Sequence, residues 1–339
     1  MKHTFKLLLA LILGACLPAD TASALKIECE VVYLDVALVA GSNETDSIYA
    51  EICSKGNKKS KETPVQILIH GGSYDHRYWN PGWDKDYSYI DYMVKKNYTV
   101  INIDRVGVGY SSKPENPMTV DFDVAAYTIH QIVQMVKGDG ISTFNFGNVQ
   151  RDEVVLVGFS FGSMIATMEA ATYNDVDGLV LQSYSHTVGP AGLASYNLAY
   201  PANNEPKFNG LDTNYFTTLP NVRPELFFYE NNVEPYILHT DELIKQTYSL
   251  AELMSIEGSM AASYNVSVPV FLIVGDYDFI ACDLPSCTSA GSLVNEHTHF
   301  PLAPSFEYEI VEDAGHTLNW HKKPKNTFKA MEKWIKNTF

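Results

Sequence analysis

The chain has 339 residues, enough for one large α/β domain with an insertion and too many for a small single-core module. Hydrophobic residues make up 46% of it, which excludes a disordered chain. Its net charge of −16 repels nucleic-acid phosphates and anionic lipid, so neither is an expected partner.

The N-terminus reads as a targeting segment. Lys2 and Lys6 give a basic start, residues 8–13 are apolar but too few to span a bilayer, and Ala22-Ser23-Ala24 is an A-x-A cleavage pattern. Residues 1–24 are predicted to be a signal peptide and the mature protein to be secreted. Cleavage removes Lys2, Lys6 and Asp20, leaving the mature chain one unit more negative. Leu13-Gly14-Ala15-Cys16 also fits a bacterial lipobox, and the alternative location is a lipid anchor on Cys16. No later stretch is long and apolar enough to cross a membrane.

Residues 27–39 and 47–54 are predicted to form a hairpin, with Cys29 and Cys53 placed symmetrically about its turn. Four cysteines remain after cleavage, and an even count in an exported chain predicts two disulfides. The pairing expected is Cys29–Cys53 and Cys282–Cys287, the second closing a short loop; the alternative is buried free thiols. Asn43, Asn97 and Asn265 lie in N-x-S/T sequons, so the chain is a candidate glycoprotein.

Residues 55–61 form a charged connection, and then apolar runs alternate with helical patterns. The runs are Val65–Ile69, 98–103, 154–157, 179–181, 270–274 and Phe306–Val311. All but the last are near-continuous, as in strands buried on both faces of a parallel sheet. Between them Val124, Thr128, Ile132 and Met135 form one helical stripe, and Phe161, Met164, Ile165 and Met168 another. Phe328, Met331 and Ile335 form a third at the C-terminus. This order predicts a doubly wound, mostly parallel α/β sheet.

From 186 to 266 the strand pattern stops. The segment is rich in Pro, Asn and aromatics, including Tyr196, Tyr200, Phe208, Tyr215, Phe216, Phe227, Phe228, Tyr229 and Tyr236. It carries a helix expected over 235–249. The segment is predicted to be an inserted, mainly helical cap. The core is then split into 25–185 and 267–339. The aromatics line an apolar acyl or aryl pocket, or else pack the cap's own core.

Gly158-Phe159-Ser160-Phe161-Gly162 is a G-x-S-x-G motif between a buried strand and an amphipathic helix. That junction is the pattern of a nucleophile elbow, a tight turn in which only small neighbours fit around the serine. The helix N-terminus favours the negative charge that develops there. A serine hydroxyl needs a general base, and His316, after the last predicted strand, is placed to supply it. The acid that orients the imidazole belongs after Gly275, where Asp276 and Asp278 are both candidates; Gln182-Ser183-Tyr184-Ser185 offers no carboxylate. The chain order Ser, Asp, His is neither the chymotrypsin nor the subtilisin order. The oxyanion hole is expected from the N–H groups of Phe161 and of Gly72 in His70-Gly71-Gly72-Ser73.

On these motifs the chain resembles the α/β-hydrolase superfamily, in its capped, single-domain, serine-dependent form. His70-Gly71 with Trp79 downstream resembles that group's oxyanion loop, and Asp104-Arg105-x-Gly107-x-Gly109-x-Ser111 its D-x-x-G-x-G-x-S turn. Gly275-Asp276-Tyr277-Asp278 resembles its G-x-x-D loop, which assigns the acid to Asp278, and Gly315-His316 matches its G-H. The likeness covers about 64–339. It is similar to secreted hydrolases of unassigned substrate, many of them fungal. It implies substrate contacts at Gly71, Ser73, Trp79 and Phe159. The expected reaction is hydrolysis of a small-molecule carboxylic ester or lactone through an acyl-serine. Alternatives are acyl transfer, C–C or amide hydrolysis with the same triad, or a non-catalytic ligand-binding protein on the same fold.

No cofactor or metal is expected. Gly107-x-Gly109-x-x-Ser112 lacks the third glycine of a dinucleotide fingerprint. His297-x-His299 lacks the ligand set of a zinc site.

Overall fold

The computed structural model describes residues 27–283, 287 and 293–339. The predicted signal peptide and the alternative anchor at Cys16 lie outside the described residues.

Eight strands form one sheet: β1 Glu28–Val36, β2 Asp46–Ser54, β3 Val65–Ile69, β4 Thr99–Ile103, β5 Val154–Phe159, β6 Gly178–Gln182, β7 Val270–Gly275 and β8 Phe306–Val311. Their spatial order is β1-β2-β4-β3-β5-β6-β7-β8. The first three in that order pair antiparallel and the rest parallel. Strand order reverses about β3, which opens a crevice at the carboxyl ends of β3 and β5, where α/β sheets bind ligands.

The apolar runs are continuous because both faces are covered. On one face Ile67, Ile69, Leu156 and Leu179 pack against α2 Phe122–Lys137 and α3 Phe161–Tyr173. On the other, Leu68, Val155, Val157 and Val180 pack against α1 Tyr89–Lys95 and α4 Lys325–Thr338. Each such buried aliphatic side chain contributes about 1.5–3 kcal/mol. The buried face of α2 runs through Ala125, Ile129, Ile132, Val133 and Val136; of the predicted stripe, Val124 and Met135 sit at its half-buried margin.

The hairpin β1–β2 sets Cys29 directly opposite Cys53, and the two are bridged. Cys282 and Cys287 form the second disulfide.

Between β6 and β7 lie helices at Pro190–Ser195, Arg223–Phe227, Pro235–Ile244, Leu250–Met254 and Ile256–Ala262. The segment also holds a small antiparallel sheet of Ala199–Pro201, Tyr215–Thr218 and Tyr248–Ser249, where the sequence showed no strand pattern. Strands of two to four residues are too short to display a period. The helix expected over 235–249 ends at Ile244, and its last residues enter this sheet.

Candidate active site

Ser160 stands between β5 and α3 with φ 53° and ψ −116°. Its N–H donates to the Gln182 carbonyl at 2.9 Å, and its carbonyl accepts the Ser163 N–H at 2.8 Å, locking the turn. The flanking glycines have no room for a side chain. A Cβ on Gly158 would lie 2.5 Å from the Gly162 carbonyl, and one on Gly162 2.1 Å from the Ile69 carbonyl oxygen. The tight turn expected at this motif is therefore present: the end of β3 imposes Gly162, and the first turn of α3, folded back on β5, imposes Gly158.

His316 follows β8. Its Nδ1 lies 2.9 and 3.0 Å from the two carboxylate oxygens of Asp278, which is fully buried after β7. Asp278 Oδ1 also accepts the N–H groups of Ile280 and Ala281, each at 3.2 Å. Asp276 faces elsewhere: its Oδ1 accepts the Ala314 N–H at 3.1 Å and braces the loop below the histidine. Burial raises the Asp276 carboxyl above its ordinary range. The imidazole packs against the rings of Phe159 and Phe227, with centroids 5.2 and 5.7 Å away. Ser160 and His316 line one pocket of about 70 Å³ together with Met164, Tyr184, Val188, Tyr196, Ile256 and Met260. A hollow of about 400 Å³ beside Val311 and Lys322 is larger but is lined by neither.

The loop after β3 brings Gly72 against Phe161: a Cβ on Gly72 would lie 3.0 Å from that ring. The loop is braced by His70, whose Nε2 accepts the Arg105 N–H at 3.0 Å. The ring proton is therefore on Nδ1, donated to the Gly71 carbonyl at 2.9 Å. Burial, aided by the Arg105 guanidinium, holds this imidazole neutral, pushed down to about 3.

Of the four substrate contacts expected from resemblance, none lies among the residues lining the pocket at Ser160. Trp79 is fully buried against Tyr78 and Tyr89. Phe159 is equally buried, its ring stacked on Tyr78 at 3.9 Å, because strand alternation turns it inward from the elbow. The Gly71 carbonyl accepts from Arg105 at 3.3 Å, and Ser73, at φ 56°, points its hydroxyl to Arg223. Among the aromatics of residues 186–266, Tyr196 lines the pocket, whereas Phe208 and Tyr215 pack with Ala202 in a separate cluster.

Sequence reasoning missed several residues here. Ser183, at φ 54°, donates its hydroxyl to the His316 carbonyl at 2.6 Å. His321 Nε2 accepts the N–H groups of Tyr229 and Gly315, at 2.9 and 3.0 Å. Two buried ion pairs flank Gly72. Arg105 pairs with Glu252 and bonds Gly71; Arg223 pairs with Asp241, bonds Ser73 Oγ at 2.8 Å and lies over the Tyr74 ring at 4.5 Å. The one sequence signal is Ser249-x-x-Glu252, a capping box that starts Leu250–Met254 and fixes Glu252.

No curated protein matches the sequence. Among solved structures, an esterase from Thermogutta terrifontis superposes with a TM-score of 0.61 at 15% identity, covering 91% of this chain and 99% of that one. A monoacylglycerol lipase from Paleococcus ferrophilus gives 0.59 at 15% identity, covering 86% and 99%. A bromoperoxidase from Bacillus anthracis gives 0.60 at 17% identity, covering 90% and 100%. At such identities the likeness establishes the fold. A family model described as the alpha/beta hydrolase family matches residues 66–330, from β3 into α4, and the chain belongs to that family.

Proposed function

We propose that the chain is a secreted serine esterase that cleaves a small carboxylic ester or lactone through an acyl-serine. Ser160 Oγ attacks the carbonyl and passes its proton to His316 Nε2. Asp278 holds the proton on Nδ1 and stabilises the imidazolium, and the N–H groups of Gly72 and Phe161 receive the oxyanion. Residues 186–266 act as a cap, and residues 1–24 are removed on export.

One observation carries this reading: His316 Nδ1 is held by both oxygens of a buried carboxylate while His316 and Ser160 open onto the same pocket. Two disulfides suit an exported chain. Structural neighbours that include an esterase and a monoacylglycerol lipase support ester chemistry. The pocket of about 70 Å³ is small beside the roughly 300–1,000 Å³ usual for ligand sites, which fits a short acyl group.

The experiment is fluorophosphonate labelling with a panel of p-nitrophenyl esters. Wild type should be labelled and should turn over acetate and butyrate faster than octanoate. Ser160→Ala should lose the label and several orders of magnitude in kcat while staying folded. Undiminished labelling of Ser160→Ala would remove the nucleophile assignment. A wild type that neither labels nor turns over any ester or lactone would make the protein a binding module.

A further inference from the structure

Away from Ser160, α2, α3 and the turn after α3 bring His130, Glu169 and Asp175 together, with one ligand-type atom from each lying within 4.8 Å of the others. Glu169 is eight residues past the start of α3, roughly 12 Å along its axis. Its side chain is fully buried between the helices, and neither carboxylate oxygen has a hydrogen-bond partner. Asn174 closes α3 in the left-handed conformation and turns the chain so that Asp175 comes back beside Glu169. Asp175 Oδ1 is also without a partner. His130 Nδ1 is 2.8 Å from Asp175 Oδ2 but is not aligned to hydrogen bond with it.

Two carboxylates facing each other with no donor between them need a proton or a cation. The nearest lysine does not supply it, because Lys137 is paired with Asp177 at 2.7 Å. Among the described residues the other two clusters of this kind are saturated, in that no buried carboxylate oxygen in them lacks a partner. His186 Nδ1 meets Glu296 at 2.8 Å and its Nε2 meets Ser263 at 2.8 Å. Both oxygens of Asp104 accept backbone N–H groups, from His76 and Tyr110.

We propose that His130, Glu169 and Asp175 form a binding site for a first-row divalent cation of the zinc type, tying α2 to α3. One imidazole and two carboxylates are a donor set for such an ion. Tetrahedral bonds of about 2.0–2.2 Å place neighbouring donors about 3.3–3.6 Å apart, so the His130–Asp175 pair, at 2.8 Å, opens by about half an ångström to admit the ion. The ring plane of His130 is set by Tyr173, stacked on it at 3.9 Å, and Gln134 Nε2 donates to Asp175 Oδ2. The side chains of His130 and Asp175 are 22% and 16% exposed, which gives the ion a way in from solvent.

The test is zinc titration of the chelator-treated, disulfide-intact protein, followed by calorimetry and thermal unfolding. One site should saturate and raise the unfolding midpoint by about 5 °C at a hundredfold excess over the dissociation constant. Glu169→Gln and His130→Ala should each weaken this site about 100-fold or more. Glu296→Gln, in one of the saturated clusters, should leave it unchanged. Two variants are used so that misfolding of one does not decide the result. No saturable binding by wild type, with a Glu169→Gln variant at least as stable, would mean a proton-sharing carboxyl pair and overturn the proposal. Zinc binding that survives Glu169→Gln and His130→Ala, or that disappears with Glu296→Gln, would overturn it equally.

Discussion

Asp276 and Asp278 sit two residues apart and differ in what a change to asparagine removes. Asp276 Oδ1 accepts one backbone N–H, from Ala314, and an asparagine oxygen can keep that bond. Asp278 receives His316 Nδ1 on both oxygens. An asparagine there turns an amide donor toward the ring, so the imidazole carries its proton on Nε2 and no longer accepts one from Ser160. Asp278→Asn is expected to lower kcat on the order of 10⁴-fold with little change in KM, and Asp276→Asn by less than about tenfold. Side-by-side kinetics on one activated ester check this; a crippled Asp276→Asn would move the acid assignment. At this scale the tight turn at Ser160 and its two glycines were legible because the turn is local, with every constraint falling within a few residues. Asp276 and Asp278 were equivalent candidates on the strand alone, and the G-x-x-D resemblance was what separated them. Ser183 and His321 were not legible. The partner of Ser183 lies 133 residues away, and His321 ties nearby Gly315 to Tyr229, 92 residues away, so no spacing encodes either role.

The loop after β3 is a short element with an unusual mooring. Residues on both sides of Gly72 are held by buried arginines, and each arginine pairs with a carboxylate from the segment between β6 and β7. The Arg223–Asp241 pair is fully buried, so removing one partner strands a charge and costs about 3–5 kcal/mol. Removing both with apolar residues of similar volume is expected to recover most of that stability. Arg223→Met/Asp241→Leu should therefore unfold within about 1–2 kcal/mol of wild type. Yet it should lose about tenfold in kcat, because the Ser73 hydroxyl has lost its donor and the loop carrying Gly72 is less well held. Denaturant unfolding and ester kinetics on the single and double variants test the two halves separately. A double variant with wild-type kcat would reduce the pair to a packing role. The strands of the central sheet were readable because both-face burial writes a continuous apolar run, and the first hairpin because its cysteines lie opposite each other in register. The arginine moorings were not readable. Arg223 and Ser73 are 150 residues apart, and the small sheet around them has strands too short for a period.

For the molecule as a whole, two neutral histidines make acid the weak side. His70 and His321 are both buried and both use Nε2 to accept backbone N–H groups, which an imidazolium cannot do. Burial pushes His70 down to about 3 and His321 down to about 4. The unfolded chain takes up protons at the ordinary histidine value of about 6.5. Between those values the unfolded state binds more protons than the native state, so stability rises with pH. The contribution is fully present above about pH 6.5 and is lost as pH falls, toward about 4 for His321 and about 3 for His70. Each group adds a slope of about 1.4 kcal/mol per pH unit, so together they remove several kcal/mol between pH 6.5 and 5. His321 also ties this loss to the site, since one of the N–H groups it accepts belongs to Gly315, next to His316. A glutamine at 321 keeps an acceptor without titrating. His321→Gln should therefore be less stable than wild type at pH 7 but lose stability more slowly on acidification, by about one proton's slope. Urea unfolding at pH 7, 6 and 5 measures this directly, and equal slopes in the two proteins would show that His321 is not one of the groups that set the acid limit.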